Sequence, residues 1–295
     1  MKKLKAVWEL MRLEHGFMIF IGILIGSIVT LGNLDFPSLS KIILTFFTAL
    51  FLEASTFALN DYFDLDIDKK NKRYDRPLVR GDLHPKTALI LFSIFFPLGI
   101  ICSFFVNMTC FIIALITAFF AVIYDYYLKK IKLLGNFYIA YVMAIPFVFG
   151  GAAVLTDNSL SFNISPSIFI IALIAFFAGS GREIMKDIQD FEGDIKKGVR
   201  SFPKYIGIRK TSILASFFYI IAIILSFLPF MFDIFTIYYR NIYYISIIIL
   251  TDVMLMITSL QLIFNKDINL KTYRKTTLVA IFIGLIGFLI GSLVG

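Results

Sequence analysis

A chain of 295 residues that is 59% hydrophobic and only 16% charged, with a mean hydropathy of +0.87, holds more apolar surface than one soluble core can hide. That excludes a water-soluble enzyme and points to a polytopic membrane protein whose outer surface is covered by lipid. The formal net charge of +8 comes from basic residues interleaved with Asp clusters at helix ends, a topology signal that argues against a nucleic-acid binder.

The start, MKKLK, runs into mixed polar and apolar residues, so no cleavable signal peptide is expected. Nine apolar stretches follow, at about 16–32, 42–60, 87–106, 109–127, 136–155, 166–184, 211–231, 242–262 and 276–294, each long enough or nearly so to cross a bilayer. Only VNMTC separates the third from the fourth, which predicts a tight helical hairpin. The expected fold is all-α, one domain over 1–295 with nine transmembrane helices bundled around a central cavity. If nine helices alternate, all of the 28 Lys and Arg except Lys41 and Arg240 fall on one side. The positive-inside rule puts that side, with the N-terminus, in the cytosol. Cys102 and Cys110 flank the short turn and read as small buried apolar residues.

The second stretch ends in NDYFDLDIDKKNKRYDRP, from Asn60 to Pro77. Here Asp61, Asp64 and Asp68 follow D-x-x-D-x-x-x-D, a spacing that sets three carboxylates on one helical face, directly after Asn60. The sixth stretch ends in REIMKDIQDFEGDIKKGVR, where Asp187, Asp190 and Asp194 repeat the spacing with Glu183 one turn earlier. RPLVRG follows the first cluster and RSFPKYIG the second, so the chain reads as two weakly repeated halves, about 1–130 and 131–295. Asp66, Asp75 and Glu192 fall off the common face and read as surface charges.

Two carboxylates at ~4 Å and an effective dielectric near 20 repel by roughly 4 kcal/mol. Oxygen-only ligand sets suit hard cations such as Mg²⁺, which takes one or two carboxylates plus a substrate phosphate. Two acidic faces across a cavity would hold two Mg²⁺ with a diphosphate between them. One cluster alone is as readily a solvated helix end; two at matching spacing and matching topological position argue for a site.

Arg73, Arg76, Arg80, Lys129, Arg182, Lys186, Arg200 and Lys204 surround the same helix ends. Most basic residues here, among them Lys2, Lys3, Lys5, Lys69, Lys70, Lys196 and Lys197, read as topology and lipid-phosphate charges. Arg182 and Lys186 lie within the helix of the second cluster, and Arg73 just past the first, where a guanidinium can grip a phosphate. Glu53, seven residues before Asn60, lies deeper on the same face, with Arg12, Glu14 and His15 as candidate partners or acceptor-site groups. Asp252, midway along the eighth stretch, suggests a helix–helix hydrogen bond. Tyr124 and Tyr126, beside Asp125 and Lys129, are the candidates to stabilise an allylic cation by cation–π contact.

NDYFDLDIDKKNKRYDRPLVRG resembles the N-D-x-x-D-x-x-x-D signature of the UbiA-type intramembrane prenyltransferase superfamily. KDIQDFEGDIKKGVRSFPKYIG resembles its second aspartate-rich motif, and YDYYLKK its tyrosine–lysine segment after the fourth helix. The likeness covers essentially the whole chain. MRLEHGFMIFIG, with EASTFALNDYFD and GSGREIMKDIQDFEGD, looks most like the archaeal branch that forms the second ether bond of membrane lipids. The resemblance implies Mg²⁺-dependent transfer of a geranylgeranyl group from its diphosphate to the free hydroxyl of a lipid-like acceptor, geranylgeranylglyceryl phosphate. On that reading Asn60, Asp61, Asp64, Asp68, Asp187, Asp190 and Asp194 hold metal, with Asp64, Asp68, Asp190 and Asp194 catalytic. Arg73, Arg76, Tyr124, Lys129, Arg182 and Lys186 would bind substrate. The rival within the family is an aromatic acceptor in quinone or haem synthesis. A divalent cation transporter would place its carboxylates near the bilayer midplane, where only Glu53 and Asp252 lie. A CDP-alcohol phosphotransferase needs Asp-Gly followed closely by Ala-Arg, which is absent.

Overall fold

Lipid offers no partner to backbone N–H and C=O groups, so each apolar stretch satisfies them internally, as a helix. The computed structural model describes residues 2–34, 39–70, 72–155, 165–196, 198–264 and 269–295. Lys197 and Lys266, counted above among the basic residues, lie outside them. In chain order the α-helices are α1 (Lys2–Met11), α2 (Gly16–Leu31), α3 (Leu39–Lys70), α4 (Pro77–Arg80), α5 (Pro85–Val106), α6 (Met108–Tyr126), α7 (Lys132–Ala153), α8 (Pro166–Lys196), α9 (Phe202–Met231), α10 (Ile242–Phe264) and α11 (Leu270–Val294). Among the described residues, nine helices are long and apolar enough to cross a membrane: α2 together with the turn Leu13–His15 before it, α3, and α5 to α11.

The expected boundaries hold at the hairpin. Only Asn107 separates α5 from α6; its side chain accepts from the Cys110 N–H at 2.8 Å and donates to the Ala152 carbonyl at 2.8 Å. Both cysteines are free, and Cys110 is buried. Elsewhere the helices outrun the apolar pattern. α3 has 32 residues and α8 has 31. At about 1.5 Å per residue each is over ~45 Å long, against a hydrocarbon core of about 30 Å. Apolar character stops where the charges begin, but helical hydrogen bonding continues. The acidic motifs therefore ride on helical overhangs. α9 begins at Phe202, earlier than its apolar run, and bends at Gly207, whose φ of 77° breaks the helical path.

Close crossings set the bundle. α2 meets α7 backbone to backbone, where a Cβ on Gly26 would sit 2.0 Å from the Phe147 carbonyl oxygen. Ser27 donates to the Gly150 carbonyl there at 2.9 Å, the use of small residues that lipid-embedded packing favours. Ile25, Ile171, Tyr244 and Phe288 belong to one buried cluster joining α2, α8, α10 and α11. α5 turns Ile90, Ile94, Ile101 and Phe104 outward, as a lipid-facing helix must. Asp252 accepts from Ser226 of α9 at 2.7 Å, the helix–helix bond its isolation suggests.

Candidate active site

The first tip is the overhang of α3. Asp61 and Asp68 are buried there and Asp64 is half-buried, while Asp66 faces out. Asp61 Oδ1 accepts from Arg12 Nη2 at 2.8 Å and from Arg76 Nη1 at 2.6 Å. Asp64 Oδ1 accepts from Lys129 Nζ at 2.6 Å. Asn60 turns to α6, donating to Asp125 Oδ1 at 2.8 Å. Arg12 is delivered by the fold: α1 packs Ala6 and Leu10 against Ala58, Leu78 and Leu83, and Arg12 itself adopts φ 48° to turn the chain toward α2.

The second tip is the overhang of α8, with Asp187 and Asp194 buried and Asp190 half-buried, the same order as on α3. All three face one cation. Lys132 Nζ lies 3.5 Å from Asp187, 3.4 Å from Asp190 and 2.7 Å from Asp194. Asn136, one turn further along α7, donates to Asp187 Oδ2 at 2.8 Å. One turn deeper, Glu183 accepts from Arg182 at 3.2 Å and from Lys186 at 3.0 Å.

The segment 125–136 joins the tips. Its first part reaches α3 through Asp125 and Lys129, and its last part reaches α8 through Lys132 and Asn136. Arg200, after α8, donates its N–H to the Lys130 carbonyl at 2.9 Å and accepts from the Leu133 N–H at 3.4 Å, closing the frame. Tyr124 stacks on Tyr138 with ring centroids 5.0 Å apart. Tyr126 and Tyr127 are exposed, which leaves Tyr124 as the inward tyrosine of YDYYLKK.

Two of the sequence candidates have other partners in the free protein. Arg12, considered as a partner for Glu53, goes to Asp61; His15 Nδ1 takes Glu53 Oε1 at 3.4 Å. Arg73, expected to grip phosphate, is held in the exposed loop by Asp75 through two bonds of 2.9 Å, though Asp68 and Asp61 lie within its electrostatic reach. The hydrogen bond from Arg73 holds the Asp75 carboxyl below its ordinary range, and Arg80 is raised through its hydrogen bonds to Glu9 and Asp82. Sequence reasoning named Arg12 only as a partner for Glu53 or an acceptor-site group, and it missed Lys132 and Asn136. The signal for the last two was present: a lysine and an asparagine four apart on one face, opening an apolar helix. A cavity of about 290 Å³ opens beside the first tip, lined by Glu9, Arg12, Glu14, Asp75, Arg76 and Pro77.

Among the described residues no three His, Cys, Asp or Glu side chains converge closely enough to hold a metal by themselves. The donors are carboxylate oxygens, and Asp61 Oδ2 is buried with no hydrogen-bond partner. That fits Mg²⁺, which needs only one or two carboxylates when substrate phosphates complete its shell.

Residues 19–279 match the model of the UbiA prenyltransferase family. The chain is 41% identical to the digeranylgeranylglyceryl phosphate synthase of Archaeoglobus fulgidus, over 98% of this chain and 96% of that one. A solved structure of a digeranylgeranylglyceryl phosphate synthase superposes with a TM-score of 0.79 at 33% identity, with 99% of each chain covered. A UbiA homologue from Archaeoglobus fulgidus, solved with DMAPP and Mg²⁺, shares the fold at a TM-score of 0.60 and 17% identity, over 96% of this chain and 99% of that one.

Proposed function

The chain belongs to the UbiA prenyltransferase family, and on that footing we propose that it moves a geranylgeranyl group from geranylgeranyl diphosphate to the free hydroxyl of geranylgeranylglyceryl phosphate, making the second ether bond of an archaeal membrane lipid. The observation that carries the reading is the 41% identity over 98% of the chain to a digeranylgeranylglyceryl phosphate synthase. The acidic tips of α3 and α8 support it separately, since a prenyl diphosphate needs cations at its head and lipid around its tail.

Asn60, Asp61, Asp64 and Asp68 on α3, with Asp187, Asp190 and Asp194 on α8, would hold two Mg²⁺; the relative solved with DMAPP and Mg²⁺ supports that choice of metal. Bound there, Mg²⁺ supplies positive charge to the leaving diphosphate. Asp64, Asp68, Asp190 and Asp194 are the catalytic carboxylates of this scheme. Arg73, Arg76 and Lys129 from one side, and Arg182 and Lys186 from the other, bind diphosphate oxygens through charge-assisted hydrogen bonds. Lys129 and Arg76 exchange their present carboxylate partners for phosphate as they do so. The face of Tyr124 steadies the allylic carbon as positive charge develops. The acceptor oxygen attacks that carbon, the bond to diphosphate breaks, and the hydroxyl proton passes to an oxygen at the tips, on a carboxylate or on the diphosphate.

The lopsided placement of Lys and Arg supports tips that face the cytosol. The shared burial order of the two Asp triads supports two weakly repeated halves, about 1–130 and 131–295. The test is a turnover assay with geranylgeranyl diphosphate in which the glyceryl phosphate acceptor competes with an aromatic acid, with and without chelator. Ether product that vanishes with chelator is expected. A prenylated aromatic product overturns the acceptor, and chelator-insensitive transfer overturns the metal.

A further inference from the structure

The N-terminal helix α1 is too short to span a membrane, yet it carries large apolar side chains that nothing in the protein covers. Its inner face is spoken for: Ala6 and Leu10 pack with Ala58 of α3, Leu78 of α4, and Leu83 and Ala88. Leu4 and Trp8, one turn apart, are 76% and 52% exposed. Lys2, Lys3 and Lys5 are exposed around them. The turn Leu13–His15 then leads directly into α2, the first spanning helix, so α1 sits at the level where the chain enters the bilayer.

We propose that α1 lies in the headgroup layer and binds anionic lipid, with Leu4 and Trp8 seated among the upper acyl carbons and Lys2, Lys3 and Lys5 on headgroup phosphates. The argument is complementarity. An apolar pair bordered by lysines matches a surface that is greasy below and negative above, and tryptophan favours that boundary. The helix is also tied to the first tip. Glu9 pairs with Arg80, and Arg12, immediately after the helix, reaches Asp61 at 2.8 Å. A helix held by anionic lipid therefore holds the guanidinium that balances Asp61, and turnover rises with the anionic lipid fraction.

Trp8 is the only tryptophan in the chain, so its fluorescence reports on α1 alone. The probe is the full chain in nanodiscs, without substrate, in phosphatidylcholine alone or with added phosphatidylglycerol. The anionic discs are expected to shift Trp8 emission to shorter wavelength, to protect it from acrylamide, and to expose it to a quencher placed near the headgroup. The difference is lost at about 1 M salt, where the Debye length is ~3 Å. It is also lost in the combined Lys2→Gln, Lys3→Gln, Lys5→Gln variant. Trp8 emission that ignores lipid charge, or a full response in the lysine-less variant, overturns the proposal. Turnover that follows lipid charge equally in both proteins overturns the link from α1 to the tip. Because the fluorescence needs no reaction, its outcome is independent of the activity proposed above.

Discussion

On α3 the buried Asp61 takes two guanidinium groups, from Arg12 and Arg76, and Asp64 takes Lys129; on α8 one ammonium group, Lys132, lies within 3.5 Å of Asp187, Asp190 and Asp194 alike. The two triads have one spacing and one burial order, but different numbers of cations paired to them. The first is matched by three cations on three separate pieces of chain. The second shares one. Equal motifs therefore do not make equal sites. With one ammonium group shared among its three carboxylates, the second tip is proposed as the better resting place for a divalent ion, and the first as the one that exchanges partners when substrate binds.

The strongest way to test that contrast is to remove one carboxylate from each tip. Asp64→Ala and Asp190→Ala should each lower turnover by about 10³-fold, the scale of losing a group that stabilises developing charge. Both variants should unfold at temperatures near the parent's. Without substrate, only Asp190→Ala should weaken divalent-ion binding, read by calorimetric titration. Equal weakening in the two would erase the distinction between the tips.

Next in size is the shared lysine. Lys132→Met removes the ammonium group shared by three carboxylates, two of them buried, and should destabilise the protein by about 3 kcal/mol in thermal unfolding. Added Mg²⁺ should restore part of the loss. Lys129→Met strands only the half-buried Asp64 and should cost less. The reverse ranking would show that the second triad has counter-charges beyond Lys132.

A smaller effect sharpens the first tip. Because Asp61 has two guanidinium partners, Arg12→Gln or Arg76→Gln alone should cost only about 1 kcal/mol. The double variant should cost more than the two together, since the last partner of a buried carboxylate is worth more than the first. Additive losses would mean that the two arginines act separately.

The smallest effect lies in the loop that carries Arg76. Asp75 is held below its ordinary range by Arg73, so the pair stabilises the fold above the ordinary carboxylate pKa of about 3.9 and loses that contribution as pH falls below it. Both side chains are about half exposed, which limits the effect to roughly 0.5 kcal/mol. Asp75→Asn should flatten the acid limb of the unfolding-temperature profile by that amount; an unchanged limb would show the pair contributes nothing.

Much of this molecule could be read before any fold was known. Nine spans, the tight hairpin around VNMTC and the two Asp faces follow from apolar run length and helical period, which are local properties of the chain. The overhangs of α3 and α8 were signalled by the helical spacing of their Asp residues and not by hydropathy, which marks where lipid ends, not where a helix does. Tyr124 became distinguishable from Tyr126 and Tyr127 only once one of them stacked on Tyr138.

By itself, then, the order of residues determined solvent, span count, the carboxylate faces and the family. Which cation balances which carboxylate was decided only in three dimensions. Arg12 reaches Asp61 across 49 positions, Lys129 reaches Asp64 across 65, and Lys132 reaches Asp190 across 58. Charge attraction acts through distance in space. No local pattern tells one lysine of a basic loop from its neighbour until helix packing brings one of them within 3 Å or so of an anion.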